Sequence, residues 1–428
     1  MRVRPTFAPH QNHPTVLLPK PIRRYVDTFR GLPRTVWKLA LVMLINRSGT
    51  MVLPFLTVYL THELGYTLAQ AGWVMTCFGI GSLGGAWLGG KLTDRIGPWT
   101  VQLGSLSLTG FLYLSLMWVT DLWAISALVM ATSLVADTFR PANLTAISLY
   151  TSAENRTRSL SLIRLAVNLG FSAGPAAGGF IAAHFGYEWL FVVNALTYMV
   201  SAVFFVLALP RDDDAARSVA APEDSDGPVL RKASVWADRQ FVWFIFFLLL
   251  NLVAFLQLLS TVPVYLRSVL HYSEDTIGLV MAGNGLLIVL LEMPLIYWLE
   301  QRFPAMGLMV GGAILIGLAY VGFLLPLWHV LAVVWWVVLI SVGEIINFPF
   351  SNTLAMERAP AHMRGQYMGL YTMMFSVSFI LAPLAGTWIA DHFGFGALWW
   401  TALLLSLASA AGLYRMWRSG RFPARAGV

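Results

Sequence analysis

Twelve runs of about twenty mostly apolar residues follow one another along this chain, and a soluble fold has no place to put them. They fall at roughly 37–61, 71–92, 100–119, 122–146, 160–184, 188–209, 241–266, 276–299, 304–325, 328–355, 366–390 and 395–417. About 20 apolar residues wound into an α-helix cross the ~30 Å hydrocarbon core of a bilayer. In lipid every backbone N–H and C=O needs a partner inside the protein, which leaves helices or closed barrels. These runs lack the alternation of barrel strands. Charged residues make up 11% of the chain, against about 25% in a soluble domain. The sequence therefore predicts an all-α membrane protein with twelve transmembrane helices. The 17 Trp suit the headgroup level, where one end of the ring is wet.

Between the sixth and seventh runs lies a polar stretch with Asp212, Asp213, Asp214, Glu223, Asp224 and Asp226 beside Pro222 and Pro228. It splits the chain into six helices plus six. The expected layout is a tail at 1–36, a bundle at 37–209, a linker at 210–240, a second bundle at 241–417 and a tail at 418–428. With the N-terminus inside, 24 of the 28 Lys and Arg fall on the cytoplasmic side and the outer loops hold only Arg267. The positive-inside rule then expects both tails in the cytoplasm, in a bacterial-type inner membrane. The first 36 residues are basic, with Asp27 the only acid and no apolar h-region, so they read as a cytoplasmic tail and not a signal peptide. The net charge of +7 marks that membrane face, and no nucleic-acid partner is expected. The single cysteine, Cys77, excludes an internal disulfide and reads as a packing residue.

The two halves repeat. At an offset of 208, Pro175 matches Pro383, Gly178 matches Gly386, and His184-Phe185-Gly186-Tyr187 matches His392-Phe393-Gly394-Phe395. At an offset of 206, Tyr59-Leu60 matches Tyr265-Leu266 and Gly72 matches Gly278. Parallel repeats of six helices are the plan of transporters whose two bundles rock about a central site.

Two motifs carry a family resemblance. The stretch Gly90-Lys91-Leu92-Thr93-Asp94-Arg95-Ile96-Gly97 joins runs two and three. It resembles the loop signature of the major facilitator superfamily, with Gly90, Asp94, Arg95 and Gly97 at the fixed positions. The resemblance implies that Asp94 engages a neighbouring helix start, where an anion is favoured. Pro98 and Trp99 stand where that family often has two basic residues. The second motif, Gly170-Phe171-Ser172-Ala173-Gly174-Pro175-Ala176-Ala177-Gly178-Gly179, is similar to the helix-5 signature of the drug:proton antiporters within that family. Gly170, Gly174, Pro175, Gly178 and Gly179 fill it. The resemblance implies the major facilitator fold, two pseudosymmetric six-helix bundles, and a helix 5 that seals the route between them.

The literal G-x-G-x-x-G at Gly79–Gly84 lies inside a membrane run, away from any strand, and reads as helix packing. The sequons at Asn46, Asn143 and Asn155 fall in helices or on the cytoplasmic side.

Ionisable groups within the runs are the candidate functional residues, since each costs at least ~2.5 kcal/mol at mid-helix. They are Arg47, Asp137, Arg140, Arg164, Glu292 and Glu344, accompanied by Asn168 and Asn347. Asp137 and Arg140 are spaced for a local ion pair. Glu344 follows Asp137 by 207 positions, and each precedes a helix proline, Pro141 or Pro349. The resemblance places helices 1, 4, 7 and 10 around the cavity, with 5 and 8 close by. Burial raises a carboxyl pKa, so Glu344 or Glu292, which have no local cation, suit proton coupling. Phe55, Tyr59, Phe255, Met281 and Tyr371 read mainly as packing residues.

The expected function is therefore proton-coupled export of hydrophobic, even cationic, small molecules by alternating access. The expected partners are substrate, protons and membrane lipid, in a monomer. No cofactor, metal or enzymatic activity is expected. A symporter importing a peptide, sugar or other metabolite remains open, as does a non-transporting membrane receptor.

Overall fold

The computed structural model describes residues 32–150, 153–209, 211, 235–326, 328–360 and 364–420. Residues 1–31, most of the 210–240 linker and residues 421–428 lie outside it. The described residues form twelve helices, all but the shorter Ala305–Val321 long and apolar enough to cross a membrane. In the first half these are α1 (Arg34–Ser48, then Val52–Val58 and a π turn Tyr59–Glu63), α2 (Leu68–Ile96), α3 (Pro98–Ser115), α4 (Leu122–Asp137 and Phe139–Tyr150), α5 (Ala153–Phe185) and α6 (Glu188–Ala208). In the second half they are α7 (Arg239–Phe255, Gln257–Ser260 and Val262–Ser268), α8 (Glu274–Glu300), α9 (Ala305–Val321) and α10 (His329–Arg358). The final stretch, Arg364–Arg418, bends at Gly394, whose φ of 83° breaks it into α11 (364–393) and α12 (395–418). Most helices start or end a few residues outside the sequence-predicted runs, because their polar ends continue past the hydrocarbon.

Helix packing repeats between the halves. In the first, α1 packs on α5, α2 on α4 and α3 on α6; in the second, α7 packs on α11, α8 on α10 and α9 on α12. The halves join along two seams, α5 with α8 and α2 with α11, which the repeat exchanges.

Local geometry repeats as well. At the end of α1 the Tyr66 N–H donates to Leu60 O at 2.9 Å, and at the end of α7 the Tyr272 N–H donates to Leu266 O at 2.9 Å. Each turn needs one left-handed residue, filled by Gly65 (φ 67°) in the first half and by His271 (φ 55°) in the second. His184 and His392 each bond the carbonyl four residues back, at 3.0 Å. A left-handed glycine follows each, Gly186 at φ 95° and Gly394 at φ 83°.

The outside of the bundle is greasy. Leu207, Trp118 and Trp328 are among the most exposed side chains, which only lipid or the headgroup layer can solvate. One end of the bundle carries the start of α1 and the ends of α6, α10 and α12, and is called here the tail end. There Lys38 Nζ donates to Ala208 O at 2.7 Å, tying α1 to α6. The loop motif lies at this end too, but it is helix where a polar loop was expected. α2 runs through Asp94 to Ile96, Gly97 (φ 81°, ψ 154°) makes the turn, and Pro98 opens α3. Only glycine takes that backbone readily, and proline suits a first helical position. The side chain of Asp94 lies outside what is described. Trp99 Nε1 donates to Leu209 O at 3.2 Å, and the Arg211 guanidinium lies 5.5 Å from the Trp99 ring centroid. A cation thus reaches this corner from residue 211.

Asp238 fastens the second half at the same end. It caps α7 through the Phe241 N–H (3.1 Å), receives Arg358 Nε and Nη2 of α10 at 3.0 and 2.9 Å, and accepts from Tyr367 Oη of α11 at 3.0 Å. Burial alone would raise its carboxyl, but the Arg358, Phe241 and Tyr367 hydrogen bonds and the Arg358 charge outweigh it and hold the pKa below the usual value. A depressed folded pKa gives stability that is present above the unfolded value and is lost as pH falls through the folded one. Asp238→Asn is expected to cost about 1–3 kcal/mol near neutrality. Thermal unfolding in detergent should show the gap between variant and parent flat above pH ~5 and narrowing as pH falls below ~4; a gap that does not narrow at all down to pH ~2 would contradict this account.

Candidate functional site

The seams differ along their length. Toward the end opposite the tails, called here the far end, the halves touch backbone to backbone. A Cβ on Gly179 of α5 would strike Glu274 O and Gly278 Cα of α8, and one on Gly285 of α8 would sit 2.8 Å from Ser172 Cα. Ser172 Oγ donates to Ala282 O at 3.1 Å. In the other seam a Cβ on Gly72 of α2 would strike Thr387 of α11, and one on Gly79 would meet Ile380 N at 2.8 Å. The same repeat positions touch in both seams. By contrast, Gly90 at the tail end of α2 and Gly369 at the tail end of α11 face open space. The halves are in close contact at the far end, while at the tail end nothing lies within 4 Å of a Cβ placed on Gly90 or Gly369.

The helix-5 motif makes this closure possible. Gly170 and Gly178 leave room for Arg47 and Met51 of α1, Gly174 faces the Arg47 and Ser48 carbonyls, and Gly179 turns to α8. Pro175 lies inside α5, and its carbonyl approaches Gly278. Small residues let helices approach where water supplies no drive. The repeat keeps part of this: Gly386 of α11 faces Gln257 of α7, as Gly178 faces Met51.

At the tail-side edge of the α5–α8 seam stand the central ionisable groups. Arg164 of α5 forms an ion pair with Glu292 of α8, and Asn168 Nδ2 donates to Glu292 Oε2 at 3.1 Å. The pair is lopsided: the Arg164 side chain is 47% exposed and that of Glu292 is 6% exposed. Glu292 thus has a cation after all, supplied from the other half. Glu344 of α10 is half-buried. Its Oε2 accepts from Asn284 Nδ2 of α8 at 3.5 Å, and Asn284 also donates to Ser341 Oγ at 2.9 Å. Arg164 lies within electrostatic range of Glu344 and of Tyr371 on α11. Tyr371 and Ser351 share a hydrogen bond of 2.8 Å.

The first half supplies a second cluster. Asp137 and Arg140 flank a break in α4 at Thr138. Among the described contacts they make no direct salt bridge, although Asp137 stays within electrostatic range of Arg140. Arg140 is accessible although it lies deep among the helices, within range of Asp137 and Arg47. Arg47 sits beside a kink of α1 at Gly49–Met51, with its guanidinium 5.5 Å from the Phe171 ring centroid and its Nε buried without a hydrogen-bond partner. Asn347 is placed elsewhere: its Nδ2 donates to Met309 O of α9 at 3.0 Å, inside the second half. Phe55, Tyr59, Phe255, Met281 and Tyr371 are all buried, as packing residues are.

Sequence reading missed Asn284, Ser341 and Ser172. Asn284 was visible as an uncharged polar residue in the middle of an apolar run, but only the fold shows that it touches Glu344.

The sequence profile described as Major Facilitator Superfamily matches residues 39–383. The chain belongs to that superfamily. It is 26% identical over 386 residues to the MFS-type transporter YttB of Bacillus subtilis (strain 168), covering 89% of this chain and 94% of that one. It is 24% identical over 411 residues to a protein of Planococcus maritimus named as a Na(+), Li(+), K(+)/H(+) antiporter, covering 87% and 92%. In fold it superposes on a POT family transporter solved with 5-aminolevulinic acid, at a TM-score of 0.76 and 14% identity, covering 92% and 98%. This major facilitator chain is a membrane transporter of small molecules and not an enzyme.

Proposed function

We propose that the protein is a proton-coupled exporter of small, largely hydrophobic molecules that works by alternating access. In this reading the tail end faces the cytoplasm of a bacterial-type inner membrane, and one chain is the working unit. Residues 37–209 and 241–417 are its two moving halves, joined by the 210–240 linker. The observation that carries the proposal is the pairing of Glu292 with Arg164 across the halves, next to Glu344. A carboxylate whose partner belongs to the opposite half changes its surroundings whenever the halves swing, so its proton affinity and the conformation are linked. The full helix-5 motif supports the antiport sense, as does the activity for which the Planococcus relative is named.

A second reading has an observation of its own. In this reading the first half contributes Arg47, Arg140 and Arg164 to the cavity, against Asp137 as its acid. With Arg164 neutralised by Glu292, a net guanidinium charge remains only when Glu344 is protonated, and at low dielectric that charge disfavours a cationic substrate and suits an organic anion. Electrostatics then ties charge to direction. A proton on Glu344 makes the cavity more positive, so it competes with a cation and assists an anion. Proton–anion symport is the alternative that follows.

Everted vesicles with an acid interior distinguish the two. Uptake of neutral or weakly basic hydrophobic probes that stops on adding an uncoupler is the expected result. Uptake of organic acids seen only in right-side-out vesicles with an acid exterior would replace export by symport.

A further inference from the structure

At the far end the halves meet in a polar contact that the central site does not require. Glu274, the first residue of α8, is buried, and its Oε1 accepts from Tyr187 Oη at 2.9 Å. The same oxygen lies 3.0 Å from Arg267 Nη2, and Arg267 Nη1 donates to Tyr272 O at 3.1 Å. Tyr187, just before α6, belongs to the first half, whereas Glu274 and Arg267 belong to the second. Tyr187 is also packed in its own half, with Tyr59 and its ring centroid 5.8 Å away.

We infer that Tyr187, Glu274 and Arg267 form a latch that holds the far end shut, in which the Tyr187–Glu274 hydrogen bond is the part that breaks when that end opens. The division of partners suits this task. Arg267 moves with Glu274, so the carboxylate keeps its counter-ion when the halves separate and is never left buried and alone. Tyr187 moves with the other half, so its hydrogen bond exists in only one state. A contact made in one state alone shifts the equilibrium between states; a contact made in both does not.

The internal repeat shows that packing does not demand these groups. In the α2–α11 seam the position of Glu274 is held by Leu68, that of Tyr187 by Phe395 and that of Arg267 by Thr61. Leu68 and Phe395 are partly buried apolar residues there. The two seams share their close approaches, yet the α5–α8 seam alone, of the two, has a buried carboxylate bonded across it. Gly179, the last residue of the helix-5 motif, abuts Glu274 O, so the small residues of that motif bring the carboxylate within reach of Tyr187.

Two substitutions copy the apolar seam into the polar one, Tyr187→Phe and Glu274→Leu. The only cysteine, Cys77, is replaced by Ala, and spin labels go on the exposed far-end pair His184→Cys and His392→Cys. A tail-end pair, Lys91→Cys and Arg302→Cys, is labelled separately. Distance distributions are read by electron–electron resonance on the full chain in nanodiscs, with no substrate and no pH gradient. The expected result is a roughly tenfold rise in the long far-end population of Tyr187→Phe, with the tail-end distance shortening in step. Glu274→Leu should shift both in the same sense and further. If both variants keep the parent distributions at both ends, the latch is overturned. Should Tyr187→Phe not yield folded protein, Glu274→Leu is read by the same criterion. Because the readout involves neither substrate nor protons, the latch and the exporter reading fail independently.

Discussion

Arg164→Met will destabilise the purified protein by about 2–4 kcal/mol, and Glu292→Gln by about 1 kcal/mol or less. Removing one partner of a buried ion pair costs roughly 3–5 kcal/mol, because the other charge is left without compensation. Here the partners differ in what they would suffer alone. Glu292 is 6% exposed and would keep only the Asn168 amide, whereas Arg164 is 47% exposed and would remain accessible. The expected losses follow this asymmetry, with the larger trimmed because the cavity screens the arginine side of the pair. Thermal unfolding in detergent at neutral pH measures the two differences on one scale. Equal losses, or a larger one for Glu292→Gln, would mean that the pair is solvated alike on both sides and that α5 and α8 are not sealed around it. A double variant, Arg164→Met with Glu292→Leu, should recover most of the loss, since apolar replacements of a buried pair are often close to neutral.

How far the sequence revealed this arrangement depends on the range of the forces involved. The helices were legible because their determinant is local: twenty apolar residues leave the backbone one way to satisfy itself in lipid. The repeat was legible because it recurs residue by residue, whereas its extension to the left-handed turns at Gly65 and His271 is visible only in the structure, since those two residues differ in type. The helix-5 glycines could be read as close-packing positions. Their partners, α1 for three of them and α8 for Gly179, could not, since spacing gives a face and not a neighbour. Asp137 and Arg140 show the opposite failure. Helical spacing put them within electrostatic reach of one another, yet no direct salt bridge forms between them among the described contacts. Glu292 looked solitary because its cation comes from 128 positions earlier, in the other half. Such pairings across a seam leave no mark on either helix alone. The Glu274–Tyr187 bond went unseen for the same reason, although the mismatch of Tyr187 with Phe395 inside an otherwise well-kept repeat was a signal of it.

Glu344→Gln is expected to reduce proton-driven transport at least 100-fold while leaving the fold intact. The side chain is nearly isosteric, and its amide oxygen can still accept from Asn284, so the Asn284–Ser341 contact survives and α8 stays against α10. What disappears is the ability to gain or lose a proton. Glu344 is suited to that step because it has no cation at bonding distance among the described residues and lies within range of Arg164, whose own partner is Glu292. When the halves swing, Arg164 changes its distance to both acids, and only an acid not already neutralised feels the full effect. Two assays on reconstituted liposomes separate coupling from passage: uptake driven by an imposed pH gradient, and exchange of labelled for unlabelled substrate at equal pH. The gradient-driven rate should collapse and lose its pH dependence, while exchange stays within about threefold of the parent, a loss of ~0.7 kcal/mol at most by transition-state arithmetic. Retention of gradient-driven uptake would move the proton to Glu292 or Asp137. The same assays on Asp137→Asn then decide whether the coupling acid belongs to the half that carries the arginines or to the half that faces them.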